Sequence, residues 1–415
     1  MVNKVLIISP VPLFPVYSGN RKRIYAICRS LMQMGYSIDF FYTGFEKTLS
    51  DEHKNFINGR VLEHSVNRNH GLLKELKIRL NEIWNGLFMR ADFIKRVIFD
   101  GFDSGRYNHS LHEYKSVRKV LLLQKQLSLS KSDYSAVIVN YAVFTHYFSL
   151  FDSEVVKIVD AHDKLTDRYK IFLSKGGKPS TWFSLRYTDE MRALRRADIL
   201  WAITDEEEEY YRGMLSDTEM NIMTLGHIQP FQKAVKLCGS KTILMVGSDN
   251  QLNISGFYWF YERVWKTIRN SLPGVRILVA GSICKKLPDF AKEDGIVLYG
   301  SYNTEDEIFT KADLCINPMQ EGTGLKIKTV EALSFGKPVL SALSGAAGLS
   351  AFRDKGLICS DDPDFWKKTL TEIMMDDEKL KALVISLEEQ VKVYYQKNLK
   401  AISHSLPHKE DGDHN

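Results

Sequence analysis

One stretch of the sequence decides how the chain folds: Pro318-Met-Gln-Glu-Gly-Thr-Gly-Leu-Lys-Ile-Lys-Thr-Val-Glu331-Ala-Leu-Ser-Phe-Gly-Lys-Pro338-Val-Leu340. The apolar residues 312–317 before it predict a strand, and residues 326–334 predict a helix that Gly336 ends. A Gly-Thr-Gly turn joins the two. Backbone N–H groups and the positive end of the helix then point at the same place, so the stretch predicts an anion-binding site.

Charged side chains in the same stretch suit such a ligand. Glu331, inside the predicted helix, is placed to accept hydrogen bonds from sugar hydroxyls. Lys326 and Lys328 are the nearest cations, but residues two apart do not share a helical face, so at most one is expected to reach a phosphate. The pattern indicates a nucleotide diphosphate that is held by its phosphates and its ribose.

The composition is that of a globular protein with two domains of ordinary size: 415 residues, 44% hydrophobic and 26% charged. A net charge of +5 suits an anionic ligand and is too small to indicate nucleic acid binding. Five scattered cysteines without a Cys/His cluster predict reduced thiols and no metal site. No apolar run is long enough for a transmembrane helix or a secretory signal, so we expect a cytoplasmic protein.

The first half of the chain shows the pattern of a doubly wound domain. Residues 5–9 predict a buried strand, and a loop with Ser18-Gly19-Asn20 leads into a predicted helix over residues 21–34. A strand over residues 36–42 completes the β-loop-α-β unit. Further strands are predicted over 136–141, 155–159 and 199–203. One long basic helix is predicted between the last two.

The pattern restarts near residue 240 and predicts a second sheet. Its strands are predicted over 242–246, 275–280, 296–299, 312–316, 338–340 and 357–358. An aromatic-rich helix is predicted over 257–270, amphipathic helices over 364–402, and a disordered tail over 404–415. The fold class is α/β, with two Rossmann-like domains, 1–235 and 240–395, that we expect to face each other across a cleft. The last helix is expected in the second domain or packed back on the first.

Residues 72–99 form a basic segment whose apolar residues recur at helical spacing. Six basic side chains stand against three acidic ones, which gives the segment a net charge of +3. The pattern is typical of a helix with a solvated face over a packed stripe, and contact with a membrane surface is the alternative.

The C-terminal half resembles the retaining glycosyltransferases of family 4 (glycosyl transferases group 1), which have the two-domain GT-B fold. The matching elements are Val246-Gly-Ser248, Asn253, Trp259-Phe260, Leu278-Val-Ala-Gly281, Gly300, Ala312-Asp313 and the block 321–338. The resemblance is good over 240–395 and moderate over the first 45 residues, whereas 50–235 match in outline only. The order and spacing of the elements, rather than any one of them, make it specific.

The resemblance implies roles for individual residues. Glu331 corresponds to a glutamate that binds the ribose, and His162, in Val159-Asp-Ala-His-Asp163, resembles an active-site histidine. Gly19 corresponds to a glycine that lets backbone approach phosphate, and Ser301 and Tyr302 lie in a loop that touches the nucleobase. The residues assigned to the donor are Gly19, Asn20, Gly247, Ser301, Tyr302, Gly322, Gly324, Leu325, Lys328 and Glu331. Those assigned to catalysis are His162, Glu321, Thr323 and Lys326.

The sequence departs from the family pattern at two places. Thr323 stands where many members have a glutamate eight positions before the ribose glutamate, and Glu321 lies ten positions before it. The family's Arg and Lys after the first strand of the second domain are missing from residues 247–256. Lys326 and Lys328 are expected to neutralise the diphosphate in their place.

The resemblance implies transfer of a sugar from a UDP-sugar or GDP-sugar to a hydroxyl of a glycan or lipid-linked acceptor, with retention, in bacterial surface polysaccharide synthesis. The nucleotide-diphosphate sugar is the substrate, and neither a cofactor nor a metal is expected. The expected partners are donor and acceptor, with a peripheral contact to the inner face of the membrane as a further expectation. A nucleotide-sugar epimerase of the same fold and a catalytically silent GT-B-like binding partner are the alternatives.

Overall fold

The computed structural model divides the chain into two compact units. It describes residues 3–44, 49–62, 134–173, 184–232, 239–292, 295–322 and 324–407, with isolated positions between 120 and 127. One unit comprises Met1–Leu225 together with Lys400–Asn415, and the other comprises Gly226–Leu399. The basic segment 72–99 lies outside the described residues.

The first unit is built on a seven-stranded parallel sheet in the order β3-β2-β1-β4-β5-β6-β7. Its strands are β1 Lys4–Ser9, β2 Ser37–Tyr42, β3 Val61–Leu62, β4 Ala136–Asn140, β5 Val156–Asp160, β6 Ile199–Ala202 and β7 Asn221–Thr224. Its helices are α1 Gly19–Gln33, α2 Asp51–Phe56, a 3-10 helix Ala142–Leu150, α3 Tyr169–Leu173, α4 Tyr187–Leu194 and α5 Asp205–Met214. The central strands β1 and β4 are buried along nearly their whole length, as expected of a parallel sheet covered on both faces.

The second unit is built on a six-stranded parallel sheet in the order β10-β9-β8-β11-β12-β13. Its strands are β8 Thr242–Val246, β9 Arg276–Ala280, β10 Ile296–Gly300, β11 Leu314–Asn317, β12 Val339–Ser341 and β13 Leu357–Cys359. Its main helices are α6 Gln251–Phe260, α7 Asp306–Phe309, α8 Ile327–Ser334, α9 Pro363–Met375 and α10 Asp377–Ser405. After α6 the chain continues through a π turn, Tyr261–Trp265, and the short helix Lys266–Ile268. Short 3-10 helices span Arg269–Ser271, Ser282–Lys286, Pro288–Lys292, Ser344–Ala346 and Ser350–Phe352.

In each sheet the strand order reverses at one place. In the first sheet this switch point lies between β1 and β4, and in the second it lies between β8 and β11. Loops that leave the carboxyl ends of two such strands diverge to opposite faces of the sheet and leave a crevice, in which ligands of doubly wound domains bind. The loops after β1, β4, β8 and β11 are therefore the places to look for a site.

Two helical predictions are wrong in their extent. Helix α6 begins six residues earlier than the predicted start at 257, because the side chain of Asn250 caps it by accepting a hydrogen bond from the Asn253 N–H at 2.9 Å. Between β5 and β6 the described residues form two short helices, α3 and α4, instead of one long helix. The buried Leu185, just before α4, is extended and hydrogen-bonds with Leu165 and Asp167.

The C-terminal tail begins later than the sequence predicts. Helix α10 continues to Ser405, whose hydroxyl accepts a hydrogen bond from the Trp201 indole N–H at 2.8 Å. Ser405 and Leu406 are both buried. The predicted disorder is therefore wrong for residues 404–407, and residues 408–415 lie outside the described residues.

Glycines allow the backbone to pack closely at the carboxyl ends of β8, β9 and β10. The Gly247 N–H donates to the Ala280 carbonyl at 2.9 Å, and the Gly281 N–H donates to the Gly300 carbonyl at 2.7 Å. Gly281 has a φ of +102°, and a Cβ placed on it would lie 2.3 Å from the Gly247 carbonyl oxygen. Gly300 has a φ of +83°, but a Cβ there would meet nothing within 4 Å.

These two glycines predict a graded loss of stability. Both Gly281→Ala and Gly300→Ala force alanine to a positive φ, which costs roughly 1 kcal/mol or more. Only Gly281→Ala also pushes a methyl group into a backbone carbonyl. We therefore expect Gly281→Ala to lower the free energy of unfolding by about 2 kcal/mol more than Gly300→Ala does. Urea denaturation of the full chain measures the difference. Equal losses of unfolding free energy in the two variants would contradict the prediction, because they would show that the loops after β8 and β9 can move apart without a cost in stability.

Candidate functional site

The glycine turn before α8 folds back onto its own lysine. Gly322 has a φ of +143° and Gly324 a φ of +66°, values that suit glycine, while Thr323 lies outside the described residues. Lys326 caps α8, and its Nζ donates to the Gly324 carbonyl at 2.7 Å. A Cβ on Gly322 would lie 3.2 Å from Lys326 Cε. The structure thus brings together three of the residues that the sequence assigns to the site.

A buried polar cluster fixes the start of α8 against the strand ends. Asn317, the last residue of β11, donates from Nδ2 to Thr329 Oγ1 at 2.9 Å, and Thr329 donates to the Gly345 carbonyl at 3.0 Å. A side chain at Gly345 would lie 2.7 Å from Asn317 Nδ2, so the backbone has to approach closely there. The first turn of α8, with its outward-pointing N–H groups, is thereby held beside the carboxyl ends of β11 and β12.

Lys328 connects α8 to the loop that follows β8. Its Nζ donates to Asn253 Oδ1 at 2.7 Å, and Asn253 Nδ2 in turn donates to the carbonyl and the hydroxyl of Ser248, at 3.1 and 3.0 Å. Burial lowers the pKa of Lys328 to about 7, and the charge of Lys326 acts in the same direction. A cation from α8 therefore reaches the loop in which the family's own cations are missing.

The remaining predicted residues of the second unit differ in exposure. Glu331 is buried on α8, although a carboxylate at this position of a helix is commonly exposed, and Leu325 is buried too. Glu321 is exposed. Gly247 directly follows β8, and a Cβ on it would contact Ile283 and Asn253.

Ser301 and Tyr302 directly follow β10, the edge strand of the sheet. Ser301 is exposed and Tyr302 is half-buried. Two strands, β9 and β8, separate β10 from the switch point beside β11. A ligand bound at α8 can therefore contact these two residues only if it extends along the edge of the sheet, past the ends of β8 and β9.

In the first unit three side chains meet at the switch point between β1 and β4. Asn20, in the first turn of α1, donates from Nδ2 to the Tyr141 hydroxyl at 3.4 Å, and Gly19 beside it is exposed. The Tyr141 ring stacks on the His162 ring with 4.2 Å between centroids. Two residues that the sequence assigns to the site, Asn20 and His162, are thus linked through Tyr141, which the sequence analysis did not single out.

Sequence reasoning also missed Arg23 and its partner Asp160, whose Oδ2 lies 3.1 Å from His162 Nε2. Both are buried, and Arg23 binds the carboxylate through Nε at 3.0 Å and a terminal nitrogen at 2.6 Å. A signal was present, because Arg23 lies four residues before Ile27 on the apolar stripe of α1, and a charged residue there requires a buried partner. Asp160, at the end of an apolar strand, is a partner of the required charge.

Buried carboxyl groups hold the loop that carries His162, which we call the histidine loop (161–168). Glu190 accepts hydrogen bonds from the Leu165 and Thr166 N–H groups at 2.9 and 2.7 Å, and Glu207 accepts from the Lys164 N–H at 3.3 Å. Burial raises the pKa of Glu207 to about 8, and the charge of Asp163 adds to the effect. Glu207, in the acidic first turn of α5, is therefore buried and not solvated.

Neither a metal-ligand cluster nor a membrane span is found within the described part of the chain. There, no group of three or more His, Cys, Asp and Glu side chains is arranged to hold a metal ion. No helix in the same residues is long and apolar enough to cross a bilayer.

Comparison with known proteins identifies both a family signature and a fold. The family model described as Glycosyl transferases group 1 matches residues 240–376, less than half of the chain. The sequence matches no functionally curated protein. Many solved structures match the fold, and three of them, each at most 12% identical in sequence, illustrate it.

TarM of S. aureus aligns over 98% of this chain and 99% of its own, with 10% identity and a TM-score of 0.68. The pneumococcal O-GlcNAc transferase GtfA, in complex with UDP and GlcNAc, aligns over 97% and 98%, with 12% identity and a TM-score of 0.63. Sucrose-phosphate synthase from Thermosynechococcus elongatus aligns over 97% and 98%, with 12% identity and a TM-score of 0.62. The predicted GT-B fold of two Rossmann-like domains is confirmed, and the family match together with this fold supports a glycosyltransferase.

The raised pKa of Glu207 predicts a pH-dependent gain in stability for Glu207→Gln. The folded protein keeps the Glu207 proton up to about pH 8, whereas an unfolded chain loses it near pH 4.5, so stability falls as pH rises through this window. Glutamine cannot ionise and avoids the loss, which we expect to amount to roughly 1–4 kcal/mol at pH 9 and to vanish near pH 4.

Thermal unfolding of the full chain between pH 4 and pH 9 measures this effect. Glu206→Gln, at the exposed neighbouring position, is the matched control and should follow the wild type. Parallel curves for Glu207→Gln and the wild type across the whole range would contradict the prediction.

Proposed function

We propose that the chain is a retaining glycosyltransferase of family 4 that transfers a sugar from a nucleotide-diphosphate donor, UDP-sugar or GDP-sugar, to an acceptor hydroxyl. The observation that carries the proposal is the start of α8. There, a glycine turn, a helix N-terminus and the amine of Lys328, which hydrogen-bonds to Asn253, lie beside the switch point of the second sheet. An anion with several oxygens fits this chemistry.

The donor is proposed to lie with its diphosphate at α8 and its ribose at Glu331. Lys328 supplies positive charge at the loop after β8, and Lys326 supplies it at the glycine turn. Ser301 and Tyr302 are proposed to contact the nucleobase. In support, UDP is present in the structures of GtfA and of Anabaena HepE, which share the fold.

In the proposed reaction the bond between the anomeric carbon and the diphosphate oxygen breaks. The acceptor oxygen bonds to the same carbon from the same face, and its proton passes to the departing diphosphate, so the anomeric configuration is kept and no covalent enzyme intermediate forms. The main catalytic task is to stabilise the charge that grows on the leaving group. Backbone N–H groups and lysines that are already in place do this with little reorganisation and without a metal.

The first unit is proposed to bind the acceptor, a glycan or lipid-linked glycan of bacterial surface polysaccharide. His162 lies at its switch point, where a doubly wound domain binds its ligand. A cytoplasmic enzyme that works on lipid-linked acceptors gains from contact with the inner face of the membrane, and the basic segment 72–99 is proposed to provide it.

The donor site predicts a loss of affinity in Glu331→Ala and in Lys326→Ala. Calorimetry of the full chain with a panel of UDP- and GDP-sugars first identifies the donor. Loss of the ribose contact in Glu331→Ala should then cost roughly 1–3 kcal/mol of binding free energy. Glu378→Ala, at a side chain that is 83% exposed on α10, is the control and should bind as the wild type does.

Product analysis with the same donor distinguishes the functions. A glycosyltransferase releases the nucleoside diphosphate and glycosylates the acceptor, an epimerase returns an isomeric nucleotide sugar, and a silent binding partner gives no turnover. Unchanged donor affinity in both Glu331→Ala and Lys326→Ala would refute the site assignment.

The lowered pKa of Lys328 predicts that donor binding takes up a proton. With a pKa of about 7 the amine is mostly uncharged at pH 8, and a diphosphate beside it favours the charged form. We expect an uptake of roughly one proton at pH 8 and an affinity that falls as pH rises above 7. Calorimetric titration of the full chain with the donor's nucleotide, in two buffers of different ionisation enthalpy, measures the proton uptake. Lys328→Arg, which stays charged throughout, should abolish it, and an equal uptake in this variant would contradict the assignment.

A further inference from the structure

Two neighbouring residues of the first unit have left-handed backbone conformations although neither is glycine. Tyr141, after β4, has a φ of +69°, and His162, after β5, has a φ of +62°. Their rings are stacked at 4.2 Å with an angle of 17° between the planes. Such conformations persist only where the surrounding structure enforces them, and they cluster at functional sites.

Asp160 is the residue that the surroundings hold most firmly. Its side chain is fully buried, and one oxygen, Oδ1, accepts from Arg23 Nε and Nη2 at 3.0 and 2.6 Å. Arg23 is itself fixed, because Nη1 donates to the Leu225 carbonyl at 2.8 Å. Burial alone would raise the pKa of Asp160, but the charge and hydrogen bonds of Arg23 act against it and help to hold the pKa well below its usual range.

The other oxygen, Oδ2, accepts from Arg23 Nε at 3.1 Å and from Asn140 Nδ2 at 3.3 Å, and it also faces the imidazole of His162. His162 Nε2 lies 3.1 Å from Asp160 Oδ2, a close contact that lacks the angle of a regular hydrogen bond, and Nε2 has no hydrogen-bond partner among the described residues. At 3.1 Å an ionised carboxylate oxygen, which can only accept, repels a nitrogen lone pair and attracts an N–H group, so the proton belongs on Nε2. In the Nε2–H tautomer the other ring nitrogen, Nδ1, is the acceptor.

We propose that Asp160, fixed by Arg23, is a positioning residue that sets the orientation and the Nε2–H tautomer of His162, so that Nδ1 accepts a hydrogen bond from a hydroxyl of the reacting sugars. This inference rests on the proposed function in one respect, the role of His162 at the active site. The orientation and the tautomer themselves rest on the 3.1 Å contact and on the ionised state of Asp160.

A second buried carboxylate in the same unit shows what a purely structural aspartate looks like here. Asp39, on β2, accepts from the Tyr134 hydroxyl at 2.6 Å and from the Arg60 N–H and Nε at 2.7 and 2.9 Å. Lys4 lies 3.1 Å from Oδ2. No histidine is among these partners, and so Asp39 provides a matched control of equal burial.

The decisive variant is Asp160→Asn. Its single oxygen is expected to take the Oδ1 position against Arg23, which leaves the amide NH2 facing His162 Nε2. An NH2 group donates, so Nε2 has to become the acceptor and the ring proton moves to Nδ1. The reactant hydroxyl then meets a donor where it requires an acceptor.

Nitrogen-15 NMR of the imidazole side chains tests this in the full chain, with His162→Gln used to assign the signals. We expect the Nε2–H tautomer in the wild type and in Asp39→Asn, and the Nδ1–H tautomer in Asp160→Asn. An Nδ1–H tautomer in the wild type would overturn the proposal even if Asp160→Asn does not fold. An unchanged tautomer in a folded Asp160→Asn would overturn it as well.

Turnover kinetics provide the second readout. We expect kcat to fall on the order of 100-fold in Asp160→Asn, with the donor KM nearly unchanged. Because Asp160 acts through His162, the double variant Asp160→Asn/His162→Gln should be no slower than His162→Gln, and Asp39→Asn should keep its kcat. Multiplicative losses in the double variant would indicate a separate, structural role and refute the proposal. Absence of turnover in the wild type would refute the proposed function, whereas the NMR result would still decide the role of Asp160.

Discussion

Parallel pairing is the constraint on which the rest of this structure depends. Each described strand pairs with parallel neighbours, so all the strands of a sheet deliver their next residues to the same edge. The chain has to return over a face of the sheet after each strand, and the return changes face where the strand order reverses. Residues far apart in sequence, such as Asn20, Tyr141 and His162, meet for this reason alone. In both units the topology therefore determines which loops lie side by side, whatever side chains those loops carry.

The two edges deal with buried charge in opposite ways. In the first unit Asp160 is kept ionised by the guanidinium of Arg23, and the same carboxylate lies against the His162 ring. In the second unit the hydrogen-bond partner of Lys328 among the described residues is the neutral amide of Asn253, and burial together with the charge of Lys326 lowers its pKa to about 7. A compensated charge suits a permanent scaffold, whereas an uncompensated one lowers its energy when an anion arrives. The difference matches a positioning role at one edge and a ligand-binding role at the other.

Most of the strands could be predicted from the sequence, because buried parallel strands are short apolar runs bounded by glycine and polar loops. Most strands lie within one or two residues of their predicted positions, and β8 coincides with its prediction. Helix limits were harder, since a cap such as Asn250 or a buried extended residue such as Leu185 competes with helical periodicity. The site was visible where glycines and charges are close in sequence, as around α8. The partnership of Arg23 with Asp160 joins residues 137 positions apart, and no local pattern pairs them.

Helix α10 has a consequence for how the protein is made. Its last turn supplies Ser405 to the indole of the buried Trp201, so the first unit contains a part that is translated only after the whole second unit. Until the ribosome has added residues 400–406, the surface that later covers Trp201 is missing and apolar groups stay open to water. Domains usually fold in the order in which they are synthesised. Here the earlier domain cannot be completed until the later one has been translated.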